Sequence, residues 1–367
     1  MAREVDILGM VYKSIELEIN NLLMLMLQRG ASDLHLTAGK PPALRIDNQL
    51  TELKDYEVLS GNSIAALVDV LLDSEEKKKE FRASKELDFS FSFKDNVRFR
   101  VNAYYQKGYP AAALRLIPNK IKTIEELNLP IQLKNLINYK QGLVLMVGPT
   151  GHGKSTTLAA LIDLINHTRM DNIVTIEDPI EYVYVQDKSL VNQREVGFDT
   201  LSFAKALRSV LREDADVVLV GEMRDLESIA TTITVAETGH LVFATLHTNN
   251  AAQTIDRIID VFPAYQQSQI RSQMANILVG VVSQRLLPRI GGGRVPAVEI
   301  MMTNTAVANV IRENKTYELP NIIHTSAASG MSSLDHNLAQ LVKNNLVKLE
   351  DALPYVTDHD VFEGLLR

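Results

Sequence analysis

The stretch Gly148-Pro-Thr-Gly-His-Gly-Lys-Ser155 leaves few folds open to the chain around it. It spells G-x-x-x-x-G-K-S, a phosphate-binding loop. Gly148, Gly151 and Gly153 let the backbone turn tightly and aim its N–H groups at a triphosphate, with Pro149, Thr150 and His152 between them. Lys154 then reaches the outer phosphates, the Ser155 hydroxyl is placed for Mg²⁺, and Thr156 follows in the same turn. The flanks agree with this. Residues 142–148 are an apolar run bounded by glycines, which suits a buried strand. Residues 155–166 carry apolar side chains at helical spacing, so a helix N-terminus meets the phosphates. Strand, glycine loop and helix in that order predict an α/β nucleotide-binding domain.

The chain alternates in the same sense beyond the loop. Strands are predicted at 142–148, 173–176, 216–221 and 241–246, and helices at 155–166, 202–212, 225–237 and 251–261. Such alternation means a mostly parallel sheet with helices on both faces. Residues 266–287 read as one further helix, 290–296 as a hairpin-like break, and 304–367 as a largely helical tail. Residues 1–118 differ in character. Helices are predicted at 15–28 and 63–72, strands at 33–37, 43–48, 88–93, 98–104 and 111–117, the last ended by Pro118. Phe89, Phe91 and Phe93 alternate onto one face and are read as core packing rather than a ligand box. Residues 119–125 are polar, follow a proline and are read as a linker, leaving 126–367 as the nucleotide-binding domain.

Composition narrows the partners. With 367 residues there is room for two or three domains, and a net charge of −7 argues against a nucleic-acid partner. Absence of cysteine removes disulfides, zinc–thiolate sites and thiol chemistry. No apolar run approaches the ~20 residues needed to span a bilayer. The acidic start, Met-Ala-Arg-Glu-Val-Asp, does not resemble a signal peptide. The expectation is a cytoplasmic chain that meets membranes only through partners.

Several residues stand out chemically. Glu222 ends the apolar strand 216–221 and so falls at the carboxyl end of a parallel sheet, where it either activates a water or is a solvated strand-end acid. Glu177, Asp178 and Glu181 place three like charges in six residues after another strand. They either attract Mg²⁺ through water or form an acidic surface loop. His240 and His247 bracket strand 241–246, one sensing the γ-phosphate or touching a neighbouring subunit, or both structural. Arg98, Arg100 and Arg115 cluster on the last strands of the first domain, as a phosphate-binding fork or as a solvated edge.

Taken together and in order, these blocks resemble the type II/IV secretion and pilus ATPases, and within them the type IV pilus retraction ATPases. The resemblance runs from Gly30-Ala-Ser-Asp-Leu-His-Leu-Thr-Ala-Gly39 to the C-terminal helices. It is carried by 148–158, Thr175-Ile-Glu-Asp-Pro-Ile-Glu-Tyr182, Leu190-Val-Asn-Gln-Arg-Glu195, Leu219-Val-Gly-Glu-Met-Arg-Asp225 and Thr238-Gly-His-Leu-Val-Phe-Ala-Thr-Leu-His247. It implies a PAS-like domain joined to a RecA-like motor, a homohexameric ring, and ATP with Mg²⁺. It implies Glu222 as catalytic acid/base, Glu181 as a second essential carboxylate, and arginines matching Arg98, Arg100 and Arg115 that approach the nucleotide on domain closure. It further implies an inner-membrane platform protein as partner, other pilus ATPases beside it, and work at the inner face of the cytoplasmic membrane. Two positions depart from the pattern: His152 stands where serine is usual, and Ala308 where arginine is often found. The departures keep a nucleotide-gated subunit with little turnover as a competing reading. An extension or secretion motor is disfavoured by the missing cysteines and the short first domain, and a DNA-acting relative by the acidic charge.

Overall fold

The computed structural model describes residues 2–46, 49–94, 97–117 and 120–367, with side chains from residue 13 onward. Asp47 and Asn48 of the expected hairpin arm, and Pro118 and Asn119 at the expected domain boundary, lie outside the described residues. Contacts divide the chain into two compact units that meet at residues 119 and 120.

In the first unit, helix α1 (Ala2–Gln28) is followed by strands β1 (Asp33–Leu36), β2 (Ala43–Ile46) and β3 (Gln49–Glu52). Helices α2 (Gly61–Leu71) and α3 (Glu75–Ser84) then lead to β4 (Glu86–Phe93), β5 (Val97–Gln106) and β6 (Tyr109–Ile117). The strands form an antiparallel sheet in the order β3-β2-β1-β6-β5-β4. One face is apolar: Phe89, Phe93, Phe99, Val101 and Leu114 pack with Ile19, Leu22, Leu23 and Met26 of α1. Those helical residues recur at three- and four-residue intervals, which is what puts them on one stripe. Phe91 packs against the same core, so the phenylalanine stripe is structural. Helix α3 has no apolar stripe to announce it. Its buried residues are Phe81 and Lys77, and its start is fixed by Ser74, whose hydroxyl accepts from Lys77 N.

In the second unit, a 3₁₀ segment (Ile131–Asn138) precedes β7 (Gly142–Val147), α4 (Lys154–Thr168), β8 (Asn172–Glu177) and β9 (Leu190–Glu195). Next come α5 (Phe203–Val210), β10 (Val217–Val220), α6 (Leu226–Glu237), β11 (Leu241–Leu246) and α7 (Ala251–Asp260). Helix α8 (Ala264–Ile277), strands β12 (Leu278–Pro288) and β13 (Arg294–Met302), and helices α9 (Thr305–Arg312), α10 (Leu319–Thr325), α11 (Leu334–Lys343), α12 (Leu349–Ala352) and α13 (His359–Leu366) complete it. The sheet order is β13-β12-β7-β11-β10-β8-β9, parallel except for β13. Alternation along β7 serves both faces. Leu143, Leu145 and Val147 join the core under α5–α9, whereas Val144 and Met146 join the core under α4 and the 3₁₀ segment.

One expectation is corrected here. Residues 266–287 are not one helix: α8 ends at Ile277 and the chain enters β12 at once. A short apolar run such as Leu278-Val-Gly-Val-Val is helix or strand by periodicity alone, and its β-branched residues and Gly280 decide for strand. A Cβ at Gly280 would lie 2.7 Å from the Met301 carbonyl oxygen across the β12–β13 ladder. Within the stretch read as the linker, Ile124 is buried in the core of the second unit, and Lys120, Lys122, Thr123 and Glu125 are exposed. Among the described residues no helix is long and apolar enough to cross a membrane.

Candidate active site

The glycine loop leaves the carboxyl end of β7, where the register sets Val147 beside Leu246 of β11. Gly148, Gly151 and Gly153 have φ of 141°, 77° and 80°, conformations that side chains resist. At Gly148 the constraint is doubled, because a Cβ would come within 2.4 Å of the Gln284 carbonyl oxygen. Gly153 is also the N-cap of α4 and supplies no side-chain acceptor to the first turn. Helices α5, α6, α7 and α9 are capped by Ser202, Asp225, Asn250 and Asn304. The uncapped donors of α4, which begins Lys154-Ser155-Thr156, therefore suit a phosphate. Thr156 Oγ1 lies 2.8 Å from Tyr182 Oη, which ties this turn to the acidic segment.

Glu222 lies just beyond β10 and is joined to the loop through His247. His247 Nε2 is 3.0 Å from Glu222 Oε1, and its Nδ1 is 3.3 Å from Thr150 Oγ1 and 3.5 Å from Lys154 Nζ. The other Glu222 oxygen accepts from Arg224 at 2.8 Å. Burial raises the Glu222 pKa, but the Arg224 hydrogen bond and the charges of His247, Arg224 and Lys154 outweigh it, so the carboxyl titrates below its ordinary value. Lys154 donates to the carbonyls of Gly148 at 2.7 Å and Pro149 at 3.0 Å. Burial lowers its pKa, opposed by Glu222 and Glu181 and aided by Arg285.

The acidic segment separates into different roles. Glu177, read as facing Mg²⁺ through water, has a buried carboxylate that accepts from Thr175 Oγ1 at 2.7 Å, Gln193 Nε2 at 3.3 Å and Glu181 N at 3.4 Å. Asp178 and Glu181 are the exposed members. Burial pushes the Glu177 carboxyl up to about 7, against those donors. A raised carboxyl pKa makes the folded state increasingly costly as pH climbs from the ordinary value through 7. Glu177→Gln is therefore expected to raise the melting temperature by several degrees at pH 8, with the gain fading toward pH 5. Thermal melts at both values check this, and an equal shift at both would contradict it.

Strand β12 contributes residues that sequence reading missed because the stretch was assigned to a helix. Gln284 Nε2 donates to the His152 carbonyl at 2.8 Å and its Oε1 accepts from Thr157 Oγ1 at 2.8 Å. Arg285, buried, donates to the carbonyl of Asn249 at 2.9 Å and to its side-chain oxygen at 3.1 Å, holding the turn that follows His247. The β-branched residues and Gly280 of the run, rather than its periodicity, were the signal for a strand.

His240 lies at the opposite end of β11 from the glycine loop. It precedes β11, its carbonyl accepts from Gly142 N, and its ring lies 3.0 Å from the Val235 carbonyl oxygen. The whole strand, roughly 20 Å at 3.3 Å per residue, separates it from His247. In the first unit, Arg98, Arg100 and Arg115 share the face opposite the apolar core. Arg100 stands directly across from Arg115 in the ladder. Arg115 pairs with buried Asp33 at 2.8 Å, and Arg100 lies 3.8 Å from Asp88.

A glycine loop heading a parallel sheet, a helix opening on it without a cap, and an ionised strand-end glutamate wired to the loop's lysine define a P-loop ATPase. Among the described residues no group of three histidines or carboxylates could hold a metal by itself. A Mg²⁺ brought in with phosphates would find the Ser155 hydroxyl in the first turn of α4. The chain belongs to the type II/IV secretion system protein family, whose model matches residues 11–293. It is 48% identical over 337 residues to the type IV pilus retraction ATPase PilT of Pseudomonas aeruginosa, covering 92% of this chain and 97% of that protein. It is 46% identical over 312 residues to a twitching motility protein of Neisseria gonorrhoeae, covering 85% and 83%. The crystal structure of the pilus retraction motor PilT with bound ADP superposes with a TM-score of 0.87 at 48% identity, covering 94% of this chain and 98% of that one.

Proposed function

We propose that this chain is the ATPase motor of type IV pilus retraction. It works as a homohexamer on an inner-membrane platform protein at the cytoplasmic face of the membrane, alongside other pilus ATPases. The observation that carries the reading is the Glu222–His247–Lys154 connection, which puts a deprotonated carboxylate beside a phosphate loop. The loop amides and Lys154 hold the β- and γ-phosphates of ATP, and Glu222 takes the proton of the attacking water. His247 fixes the Glu222 oxygen and, through Thr150, the loop, so base and phosphates keep one geometry. Mg²⁺ bound with the nucleotide, held by the Ser155 hydroxyl, would neutralise phosphate charge. Glu181, whose charge acts on Lys154, is the second carboxylate of the site. The arginines of the first unit supply positive charge to the γ-phosphate in the assembled ring. Arg98→Ala with Arg100→Ala is accordingly expected to lower turnover by about tenfold or more while ADP affinity is kept. Turnover equal to wild type would remove them from the mechanism.

The His152 ring is engaged with β12. Ala308 is buried in the core and contributes packing. The retraction reading is tested in a strain lacking this gene. Surface pili that persist but no longer retract, with recovery on adding back wild type and none with Glu222→Gln, are expected. Loss of assembled pili would point to an extension motor.

A further inference from the structure

His152 differs from the serine expected at its position, and its ring does something serine cannot. Strand β12 pairs with β7 only as far as Ser283 opposite Val147, then continues to Pro288. Beyond that last pairing, Leu286 N–H donates to His152 Nδ1 at 3.0 Å. The carbonyl of the same histidine accepts from Gln284 Nε2, and Gln284 reaches on to Thr157 in α4. The imidazole and the Tyr355 ring make an edge-to-face contact, with centroids 6.4 Å apart and planes at 73°. The middle of the loop is thus docked on β12 by main chain and side chain together. We propose that His152 is a positioning residue that holds the phosphate loop in its binding conformation by offering Nδ1 to the Leu286 amide.

Chain geometry explains why serine would not substitute. Nδ1 stands two bonds beyond Cβ, whereas a serine oxygen stands one bond beyond it and falls short of the same amide. An asparagine Oδ1 has the reach of Nδ1 and accepts, but does not titrate near neutrality. The charged and titratable groups facing the imidazole are Lys154 of the loop, Arg285 of β12, Arg294 of β13 and Tyr355 after α12. Burial first, then the cations, keep the ring neutral to a pH below the ordinary histidine value of 6.5. Protonation would turn Nδ1 from acceptor to donor against another donor. The dock is therefore intact at pH 8 and released as pH falls below the histidine range.

This inference rests on the nucleotide-site reading, and the test separates the two. ADP binding to the purified full chain is measured calorimetrically from pH 5.5 to 8.5 for wild type, His152→Asn and His152→Leu. Failure of wild type to bind ADP at pH 8 would overturn the nucleotide reading itself. Given wild-type binding, His152→Leu is expected to bind about fivefold more weakly at pH 8, the worth of one hydrogen bond. His152→Asn should recover most of that affinity and lack the weakening that wild type shows at low pH. Identical pH profiles for wild type and His152→Asn would overturn the proposal, even if the leucine variant does not fold.

Discussion

Glu222→Gln is expected to bind ATP as wild type does and to turn it over at least about a hundredfold more slowly. The amide keeps the shape of the carboxylate and its place at the end of β10. It can still accept from His247 or Arg224, so the geometry of the site survives. It cannot accept the proton of water. The Glu222 carboxyl is held below its ordinary pKa by Arg224, His247 and Lys154 once burial is overcome, so it is ionised throughout the neutral range. Loss of the base, rather than a shift in its charge state, is what the substitution tests. Hydrolysis near the wild-type rate would mean that another group activates the water, and Glu181 would be examined next.

The second large effect is on binding. Lys154→Ala should weaken nucleotide binding by roughly a hundredfold or more, because two or three charge-assisted hydrogen bonds to phosphate are lost. The loop itself also suffers. Lys154 donates to the carbonyls of Gly148 and Pro149, the two residues that open the turn. Removing the ammonium leaves these acceptors without that partner, so a modest fall in melting temperature should accompany the loss of affinity. Calorimetric titration with ADP checks the first effect and a thermal melt the second. Near-normal affinity would place the phosphates away from Lys154 and undo the account of the loop.

Much of this architecture was legible in the sequence, and the exceptions have physical causes. The motor's strands β7, β8, β10 and β11 are buried on both faces and bounded by glycines or polar residues, so they read as apolar runs of strand length. The strand-end position of Glu222 follows directly from that pattern. The register then distinguishes His247 from His240, a difference that spacing alone leaves open, since both flank the same strand. Strand β12 was hidden because α8 runs into it without a break and its apolar residues fit either period. With it went Gln284 and Arg285, whose roles depend on a strand passing beside the loop. The inward turn of Glu177 could not be read either. Three acids in one short segment look alike until Thr175 and Gln193 are seen to claim one of them. For His152 the sequence marked the departure and placed the ring near the phosphates. The structure instead gives the ring to the Leu286 amide, a contact between residues 134 apart in the chain.

The most direct test of the motor account is Mg-ATP hydrolysis by the purified full chain across a dilution series. Specific activity that rises with concentration is the result expected of a site completed by assembly into a ring. Activity that stays constant down to the lowest concentration, or hydrolysis missing throughout despite measurable ADP binding, would contradict it.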